Sequence, residues 1–282
     1  APAKKLNDWI SRIGNKNEQN EYYLTDIIAL AVNDGCDIET RVIENEIEVQ
    51  GVNDKHHLVL VERYYQMKKA NELLQAGVTL IDSQRIEIRG DIACGKDVEI
   101  DVGVIFEGRV TLADGVKIGA NVIIKDAIIE QGVEILSGSN IDGATIGAES
   151  VIGPYARIRP GTILKNKVKI GNFVEIKNVI IGSGSKASHL AYIGDAELGK
   201  NVNIGAGVIV CNYDGVNKHK TRIGNDVFVG SNSVLVAPVI LEDGAFIAAG
   251  STINNDVPAG NLALGRARQR NIDGWEKPVK KD

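Results

Sequence analysis

The chain has 282 residues, 44% of them hydrophobic and 24% charged, and its formal net charge is −5 at pH 7. This composition is typical of a folded globular protein, and the negative charge argues against a general nucleic-acid-binding protein. Three cysteines without metal-type spacing suit a reducing compartment. The sequence shows neither the apolar core of a signal peptide nor an apolar run as long as a membrane span. We therefore expect a cytoplasmic protein without integral membrane association.

Residues 1–77 combine helical and strand-like patterns. The stretch TDIIALAVNDG, residues 25–35, has helix-start residues at its beginning and a glycine at its end, which predicts a helix. Residues 37–52 alternate between apolar and polar side chains, which predicts one or two strands. Residues 53–77 carry apolar side chains at helical spacing and end at Gly77, which predicts a second helix. Because so few strands make a small core, we expect this α/β part to belong to a larger domain or to lean on a neighbour.

From Ile88 onward, core-type residues recur every six positions. Helices and ordinary strands have hydrophobic periods of about 3.6 and 2, so a sustained period of six indicates another architecture. The first run is Ile88, Cys94, Ile100, Phe106, Leu112, Ile118 and Ile124. The second run is Ile146, Ile152, Ile158, Leu164, Ile170 and Ile176. The third run is Ile223, Val229, Leu235, Leu241, Ile247 and Ile253.

A period of six is typical of the parallel β-helix built from hexapeptide repeats. Three hexapeptides form one triangular coil, and coils stack at a spacing of about 4.8 Å with their inward residues in aliphatic ladders. The period itself does not fix the hand, but the hexapeptide proteins that the pattern resembles wind left-handed. We therefore predict a mainly β chain, a left-handed parallel β-helix preceded by the small α/β part. A β-sandwich with chance spacing is the alternative.

Two cations interrupt this regular scaffold. Arg159 and Lys177 each directly follow a core residue, and 177 − 159 = 18 residues is one full coil. They should therefore lie at the same corner of adjacent coils, about 5 Å apart at the backbone. Like charges this close repel each other unless an anion lies between them, and phosphate is a natural guest. The alternative is a pair of solvated surface cations that splay apart.

A histidine stands at the head of a column of small residues. After Ile176 two repeats shorten to five residues, so the core positions become Ile181, Ala187, Ile193, Leu198 and Ile204. If residues 211–222 are an insertion, the second residues after four core positions align as His189, Ala206, Ser231 and Ala249. Such a column forms a groove for a long, thin ligand. Glu175, on the preceding coil, is placed to orient the imidazole or stabilise its charge, although a lone exposed histidine is more often inert.

The groove and the cationic corner together suggest group transfer from an extended cofactor to a phosphorylated acceptor. At this point several motifs resemble a known bacterial family, namely RIRPGT, GNFVEIKN, GSKASHLAYIGDAELGKNVNIGAG and CNYDGVNKHKT. The family is the bifunctional enzyme of UDP-N-acetylglucosamine synthesis. It joins N-acetylglucosamine-1-phosphate uridyltransferase to glucosamine-1-phosphate N-acetyltransferase. The resemblance extends over the whole chain, whereas hexapeptides alone are shared by many acyltransferases.

The resemblance implies acetyl transfer from acetyl-CoA, as co-substrate, to the amino group of glucosamine-1-phosphate. His189 would be the general base, and Glu175 its supporting carboxylate. The sugar-phosphate ligands implied by the family are Arg159, Lys177, Tyr192, Asn203 and Lys218. The acetyl-CoA positions implied by the family are Ala206, Asn212, Tyr213, Ser231, Ala249 and Arg266. A backbone N–H or hydroxyl near Ala206 and Ser231 would stabilise the tetrahedral oxyanion.

The resemblance also implies domains and an assembly. Residues 1–77 match the C-terminal end of a Rossmann-like uridyltransferase domain, residues 78–263 the β-helix acetyltransferase domain, and residues 264–282 a C-terminal arm. The family forms homotrimers with active sites at subunit interfaces, so we expect Arg266 of the arm to reach a neighbouring subunit. A frayed basic tail is the alternative interpretation of this arm.

One half of the bifunctional family is not matched. Uridylyl transfer would need a glycine-rich nucleotide loop and an aspartate metal ligand, and neither occurs in this sequence. Asn53 matches the family's second metal and nucleotide-sugar ligand, but it stands without its partners. We therefore expect this truncated chain to lack uridylyl transfer, and Mg²⁺ to serve only the missing half.

Other functions are compatible with hexapeptide repeats. A structural or ice-binding repeat needs flat, regular outward arrays, whereas the distinctive polar residues here cluster irregularly between positions 159 and 218. A metalloenzyme of the carbonic anhydrase type needs three histidine ligands, and only His189 and His219 lie in the repeats. We expect His56 and His57 to be structural or on the surface, and His219 to be on the surface. The closest rival is an acyltransferase with a different amino-sugar acceptor.

Overall fold

The six-residue period of the sequence becomes a stack of coils in the computed structural model, which describes residues 1–280. The helices are α1 (Ala3–Arg12), α2 (Asp26–Asn33), a 3₁₀ helix (Glu46–Val49) and α3 (Lys55–Gln75). The first strands are β1 (Thr79–Leu80), β2 (Ile86–Cys94), β3 (Glu99–Ile100), β4 (Val104–Leu112), β5 (Lys117–Ile118), β6 (Ile123–Lys125), β7 (Ile128–Ile129), β8 (Glu134–Ile135), β9 (Asn140–Asp142), β10 (Ala144–Ile146), β11 (Val151–Ile152), β12 (Arg157–Ile158) and β13 (Thr162–Leu164). The remaining strands are β14 (Lys169–Asn172), β15 (Glu175–Ile181), β16 (Lys186–His189), β17 (Tyr192–Leu198), β18 (Asn203–Ile204), β19 (Ile209–Cys211), β20 (Thr221–Ile223), β21 (Phe228–Val229), β22 (Val234–Val236), β23 (Val239–Leu241), β24 (Phe246–Ile247), β25 (Thr252–Ile253) and β26 (Leu262–Ala263).

The chain divides into two compact units, and the first, Ala1–Leu58, is helical. Trp9 of α1 is buried, and its Nε1–H donates to Asp34 Oδ2 at 2.8 Å. Arg12 Nη1 donates to the same oxygen at 2.8 Å. The hydrogen bond from Arg12, followed by that from Trp9, lowers the pKa of Asp34 to about 2. A single carboxylate therefore joins the end of α2 to α1.

The helices predicted within residues 1–77 are confirmed as α2 and α3, whereas the predicted strands are wrong. Asp54 Oδ1 accepts a hydrogen bond from the His57 N–H at 2.7 Å, which caps the start of α3. Residues 37–52 form no strand; apart from the 3₁₀ helix they are irregular, and Val42 is 90% exposed. An alternating pattern becomes a strand only where another strand accepts its backbone hydrogen bonds. The described residues of the first unit offer no such strand. Helix α1 lies in a stretch for which the sequence patterns make no prediction.

The second unit begins at Val59 and contains a three-faced β-helix. Face 1 consists of β1, β3, β5, β8, β11, β14, β16, β18, β21, β24 and β26, in that order and all parallel. Faces 2 and 3 share long strands, β2, β4, β15 and β17, that bend around one corner. The other strands of face 2 are β6, β9, β12, β19, β22 and β25, and those of face 3 are β7, β10, β13, β20 and β23. The predicted left-handed parallel β-helix of hexapeptide repeats is confirmed.

The register follows the counted repeat, including its irregularities. Ile176 pairs with Ile193, and Ile181 pairs with Leu198, which confirms the predicted five-residue repeats. Two earlier short repeats, within residues 124–146, are not predicted because the six-residue count breaks there. The inward residues form one continuous aliphatic core in which most side chains are almost completely buried. Each such burial contributes about 1.5–3 kcal/mol to folding.

Cys94 occupies the core phase, as predicted. It packs partly buried against the aliphatic core, and desolvation raises the pKa of its thiol to about 11. Within residues 1–280, every helix falls short of the length or the apolar character that a membrane crossing requires.

The insertion predicted over residues 211–222 is present but shorter, because Cys211 belongs to β19 and Thr221 and Arg222 belong to β20. Strand β19 ends at Cys211 in face 2, and β20 resumes at Thr221 in face 3. Residues 212–220 between them leave the coil, and we call them the inserted loop. This loop projects from the corner that joins faces 2 and 3.

Candidate active site

Arg159 and Lys177 lie in register on adjacent coils, as the eighteen-residue offset predicts. The preceding residues, Ile158 and Ile176, are paired in the sheet, and the Arg159 N–H donates to Ile176 O at 2.8 Å. Both cations are therefore at the end of face 2, beside the corner that carries the inserted loop.

The charges at this position of the coil alternate along the helix axis until they reach these two residues. The successive residues are Arg89, Glu107, Lys125, Asp142, Arg159 and Lys177. Arg89 Nη1 donates to Glu107 Oε1 at 3.2 Å, so the alternation forms real ion pairs at its start. Two cations in succession break the pattern, and an exposed anion would restore it.

The inserted loop brings a third cation to the same place. The side chain of Lys218 contacts that of Lys177 and is the largest cause of a lowered pKa at Lys177. Burial and the charge of Arg159 lower it further, whereas Asp195 acts in the opposite direction. We call Arg159, Lys177 and Lys218 the cationic corner. The two neighbouring cations both contribute to this shift, which is consistent with three positive charges lying close together.

Asp195 connects this corner to the inserted loop. Its Oδ1 accepts from Asn178 Nδ2 at 2.6 Å, and its Oδ2 accepts from Asn212 Nδ2. Burial raises the pKa of Asp195, but these two hydrogen bonds and the charges of Lys177 and Lys218 outweigh it, so the pKa lies below its usual value. Asp195 is therefore an ionised anchor for the first residue of the loop.

The inserted loop is stiffened from within by Asp214. Its carboxylate accepts from the N–H of Asn217 at 2.6 Å and of Val216 at 2.8 Å, and contacts His219 Nε2 at 2.6 Å. The Asn217 hydrogen bond, followed by His219 and Val216, holds the pKa of Asp214 well below its usual range. His219, which we expected on the surface, is half-buried and has a structural contact with Asp214. A rigid loop keeps Lys218 in place.

His189 lies at the opposite edge of face 2, at the end of strand β16. Ala187 pairs with Ile204, so the second residue after each of them falls in register. The same pairing continues through β21 and β24 and aligns His189 with Ala206, Ser231 and Ala249. Arg266 Nη1 donates to Ala249 O at 2.7 Å and so covers the far end of this small-residue column.

The supporting role of Glu175 for His189 stays a prediction, because the two side chains have other hydrogen-bond partners in the described chain. His189 Nδ1 lies 2.6 Å from Asn172 Oδ1, on the neighbouring strand of face 1. Glu175 is on face 2, where its carboxylate accepts from Arg159 Nη1 at 2.9 Å and pairs with Arg157 at 3.8 Å. The nearby arginines bind the carboxylate, and the in-register asparagine binds the imidazole. Asn172 lies seventeen residues before His189, so a count that includes the shortened repeats could have found it.

The remaining acceptor residues are divided between two faces. Tyr192 lies on face 2 between Glu175 and Ile209, with its hydroxyl over Gly194. A Cβ at Gly194 would lie 2.5 Å from that hydroxyl, so a larger residue there would displace the Tyr192 side chain. Asn203 lies on face 1, paired with Lys186, and is not brought to the cationic corner within one chain. Asn212 and Tyr213 begin the inserted loop, and Tyr213 bridges to Lys218.

A column of exposed apolar residues borders the histidine, and it is not predicted from the sequence. Tyr155, Phe173 and Leu190 are 57%, 59% and 60% exposed and occupy the corner between faces 1 and 2 on successive coils. The Tyr155 and Phe173 rings stack with centroids 5.7 Å apart. All three have φ between 51° and 55°, a left-handed conformation that costs a large side chain about 1 kcal/mol. Each stands three residues before a core isoleucine, which is the signal that could have found them.

The magnesium expectation at Asn53 stays a prediction. Asn53 is exposed and lies between the 3₁₀ helix and α3. Among residues 1–280, no group of three or more His, Cys, Asp or Glu side chains is arranged to hold a metal ion.

The fold and this site define a class: a hexapeptide-repeat β-helix protein with a cation cluster and a histidine at the two edges of one face. Two family models match parts of the chain. The bacterial transferase hexapeptide model (six repeats) matches residues 220–255, and the GMPPB C-terminal domain model matches residues 88–186.

Curated relatives match almost the whole chain. The bifunctional protein GlmU of Stutzerimonas stutzeri is 52% identical over 99% of this chain, and that of Marinobacter nauticus is 54% identical over 99%. The chain spans 62% and 61% of the length of these two relatives. Over the region that it spans, the chain is similar throughout to the bifunctional protein GlmU of these two organisms.

The solved structures that are similar to this chain match it at low sequence identity and with low TM-scores. UDP-N-acetylglucosamine acyltransferase from Campylobacter jejuni is 21% identical, with a TM-score of 0.28, covering 67% of this chain and 70% of that chain. The acetyltransferase domain of PglB from Neisseria gonorrhoeae, in complex with acetyl coenzyme A, is 15% identical, with a TM-score of 0.21, covering 48% and 63%.

Proposed function

We propose that this chain transfers the acetyl group of acetyl-CoA to the amino group of glucosamine-1-phosphate. The product is N-acetylglucosamine-1-phosphate, a precursor in UDP-N-acetylglucosamine synthesis. The observation that carries the proposal is the pairing of a three-cation corner with a histidine across face 2. It occurs in a chain that is 52% identical to bifunctional GlmU proteins.

The cationic corner would bind the phosphate of the acceptor. Arg159 is a fixed guanidinium held by Glu175, while Lys177 and Lys218 carry mutually repelling ammonium groups that an oxyanion stabilises. Tyr192 lies on the same face and offers a hydroxyl to the sugar. A phosphate bound at this edge leaves the rest of the sugar extending across face 2 towards His189.

His189 would act as the general base. Its Nε2 takes a proton from the acceptor nitrogen as that nitrogen attacks the thioester carbonyl carbon of acetyl-CoA. A C–N bond forms, the C–S bond breaks, and the thiolate of coenzyme A leaves and is protonated. In this proposal a backbone N–H or the Ser231 hydroxyl stabilises the oxyanion of the tetrahedral intermediate.

The small-residue column would hold the acyl donor. Ala206, Ser231 and Ala249 leave a shallow groove along the helix axis, and Arg266 lies at its end as a cation for the phosphates of the donor. Asn212 and Tyr213, at the start of the inserted loop, stand at the other edge of face 2.

The proposal includes a homotrimer in which active sites form between subunits. Two observations support it. None of the main cavities found among residues 1–280 includes His189 or Lys177, so the site of a single chain is an open face. The apolar column Tyr155, Phe173 and Leu190 borders that face and is largely exposed, as expected of a surface that a second copy covers. Asn203 on face 1 would then join the site of another subunit.

The deciding experiment measures thiol release from acetyl-CoA with glucosamine-1-phosphate, for the wild type and for His189→Ala. We expect turnover by the wild type and a loss of about 10²- to 10⁴-fold in kcat for the variant. N-acetylglucosamine-1-phosphate, whose nitrogen is blocked, and glucosamine, which lacks the phosphate, are the matched controls. Unchanged turnover in the variant would remove His189 as the base. A preference for a different amino sugar would replace the acceptor while keeping the reaction class.

A further inference from the structure

We propose that Asn172 is a positioning residue that fixes the tautomer of His189. This inference rests on the proposed function, in which His189 is the base. Asn172 and His189 are paired in register on β14 and β16, and Asn172 Oδ1 lies 2.6 Å from His189 Nδ1. This distance is that of a strong hydrogen bond.

An amide oxygen can only accept a hydrogen bond, so Nδ1 must carry the proton in this contact. The other ring nitrogen, Nε2, then holds a lone pair and can take a proton from the acceptor. Which nitrogen of an imidazole is protonated is set by the hydrogen bond that the other one makes. Because the amide is neutral, it selects this tautomer without strongly stabilising the imidazolium, as a carboxylate would.

The backbone around Asn172 is built for this contact. Strands β14 and β16 are four residues long, whereas β11, β18 and β21 on the same face have two. The longer pairing reaches the corner, where the Leu190 N–H donates to Asn172 O at 3.0 Å.

A close approach of the two coils completes the arrangement. A Cβ at Gly171 would lie 2.0 Å from Ser188 O, so only glycine lets β14 come this near to β16 immediately before Asn172. The sequence GNF at 171–173 thus supplies the space, the amide and the corner residue in succession.

The charged groups around His189 leave this role to the amide. The ionisable side chains on β14, β16 and the face 2 parts of β15 and β17 are Lys169, Lys186, Glu175, Lys177 and Tyr192. Within residues 1–280, none of them forms an ion pair with His189, and Glu175 is engaged by the arginines.

Nitrogen NMR of histidine-labelled protein tests the inference without any activity. The chain has four histidines, so the His189 signals can be assigned by their loss in His189→Ala. We expect the neutral ring of the wild type to be protonated at Nδ1, and Asn172→Ala to shift the population towards protonation at Nε2. The matched control is Asn166→Ala, which removes an exposed asparagine from the same coil. A wild type protonated at Nε2, or a tautomer unchanged in Asn172→Ala, would overturn the proposal.

Kinetics provide a second arm. We expect Asn172→Ala to lower kcat about tenfold, a part of what a general base contributes, with little change in KM for the acceptor. Asn172→Asp replaces the amide by a carboxylate of the same shape, which can still accept the hydrogen bond from His189 but carries a negative charge. We therefore expect kcat of this variant to recover at high pH. The acidic limb of its pH profile should move up by about one pH unit. If the acidic limb of the pH profile of Asn172→Asp is the same as in the wild type, this result would contradict the hydrogen bond between residue 172 and His189. If wild type and variants all lack turnover while the tautomer changes, the proposed function fails and the positioning role stands.

Thermal unfolding followed by circular dichroism separates these effects from misfolding. Asn172 is partly exposed and lies outside the core, so the variants should unfold close to the wild-type temperature. A variant that unfolds at a lower temperature is replaced by Asn172→Ser. Serine is polar but too short to reach His189 Nδ1, so we expect the same change of tautomer in this variant.

Discussion

Asp195 accepts a hydrogen bond from Asn212, and this contact joins the inserted loop to the β-helix. Asp195 has φ 47° at the corner between faces 2 and 3, where the chain must turn sharply. The same carboxylate accepts from Asn178, which occupies that corner one coil earlier. The position of Lys218 beside Lys177 therefore depends on Asp195, although the acceptor substrate need not contact Asp195.

Replacement of Asp195 by alanine should loosen the inserted loop. The loop loses its link to the coil, so the amides of residues 212–220 should exchange faster with solvent, by about the factor of 10 that one charged hydrogen bond supplies. Hydrogen exchange followed by mass spectrometry measures this change. Asp142→Ala, which removes the same charge from an earlier coil, is the control. Equal exchange in the two variants would show that the loop is held by other contacts.

Substitution of Arg159 or Lys177 should weaken the binding of the acceptor substrate much more than the binding of acetyl-CoA. Arg159→Ala and Lys177→Ala each remove a charged hydrogen-bond donor, so KM for glucosamine-1-phosphate should rise by about 10- to 100-fold. Steady-state kinetics with each substrate varied in turn measure the effect. Arg89→Ala, in the same row of charges but paired with Glu107, should leave both constants unchanged. A large change in KM for acetyl-CoA would contradict the phosphate assignment.

The apolar column should determine the assembly. Phe173→Asp places a charge in a surface that we propose is covered by a second copy, so sedimentation velocity should show dissociation towards single chains at micromolar concentration. Tyr22→Asp, at a residue of the first unit that is 70% exposed, is the matched control. Assembly of Phe173→Asp identical to that of the wild type would assign the column to another role.

The sequence predicts positions along the β-helix much better than contacts between side chains. Counting places Arg159 next to Lys177 and aligns His189 with Ala206, because the register of stacked coils is fixed by the number of residues in each coil. It does not predict that Glu175 pairs with Arg159 and Arg157, because the direction of a long side chain is decided by the charges around it.

The strands predicted over residues 37–52 fail for a related reason. An alternating pattern describes a segment, but a strand is a property of two segments that exchange hydrogen bonds. In the first unit the described residues provide no partner strand, and the segment remains irregular. Within the β-helix every coil provides a partner for the next, which is why local patterns there are sufficient.

The first unit should respond to acid through Asp34. Its pKa is lowered from 3.8 to about 2, so its contacts with Arg12 and Trp9 stabilise the fold fully above pH 4. That stabilisation is lost as the pH falls through about 2. The fluorescence of the buried Trp9 should therefore change between pH 4 and pH 2, and quenching by iodide should separate it from the exposed Trp275. The substitution Asp34→Asn should remove this fluorescence transition. A transition that persists in this variant would belong to another titrating group.

Two threonines in the core of face 3 should be replaceable by valine with a gain in stability. Thr162 and Thr221 are 1% and 0% exposed, and their hydroxyl groups have no hydrogen-bond partner among the described residues. Thr162 pairs with Ala144, and Thr221 lies between Ala196 and Val239, so each hydroxyl faces an apolar ladder. Valine keeps the branched shape and removes the unsatisfied polar group. Each substitution should raise the free energy of unfolding by about 1 kcal/mol.

Urea unfolding of the variants measures this gain, and a third residue gives the contrast. Ser185 is equally buried, but its hydroxyl accepts from the Val202 N–H at 2.9 Å and donates to Gly199 O at 2.8 Å. Ser185→Ala leaves both backbone groups without their partner, so it should lower the free energy of unfolding by about 1–3 kcal/mol. We therefore expect the free energy of unfolding to rise for the threonine substitutions and to fall for Ser185→Ala. The difference arises because the hydrogen bonds of a buried hydroxyl, and not its burial alone, decide its contribution to stability. Destabilisation by Thr221→Val would mean that its hydroxyl has a partner in solution, such as a buried water.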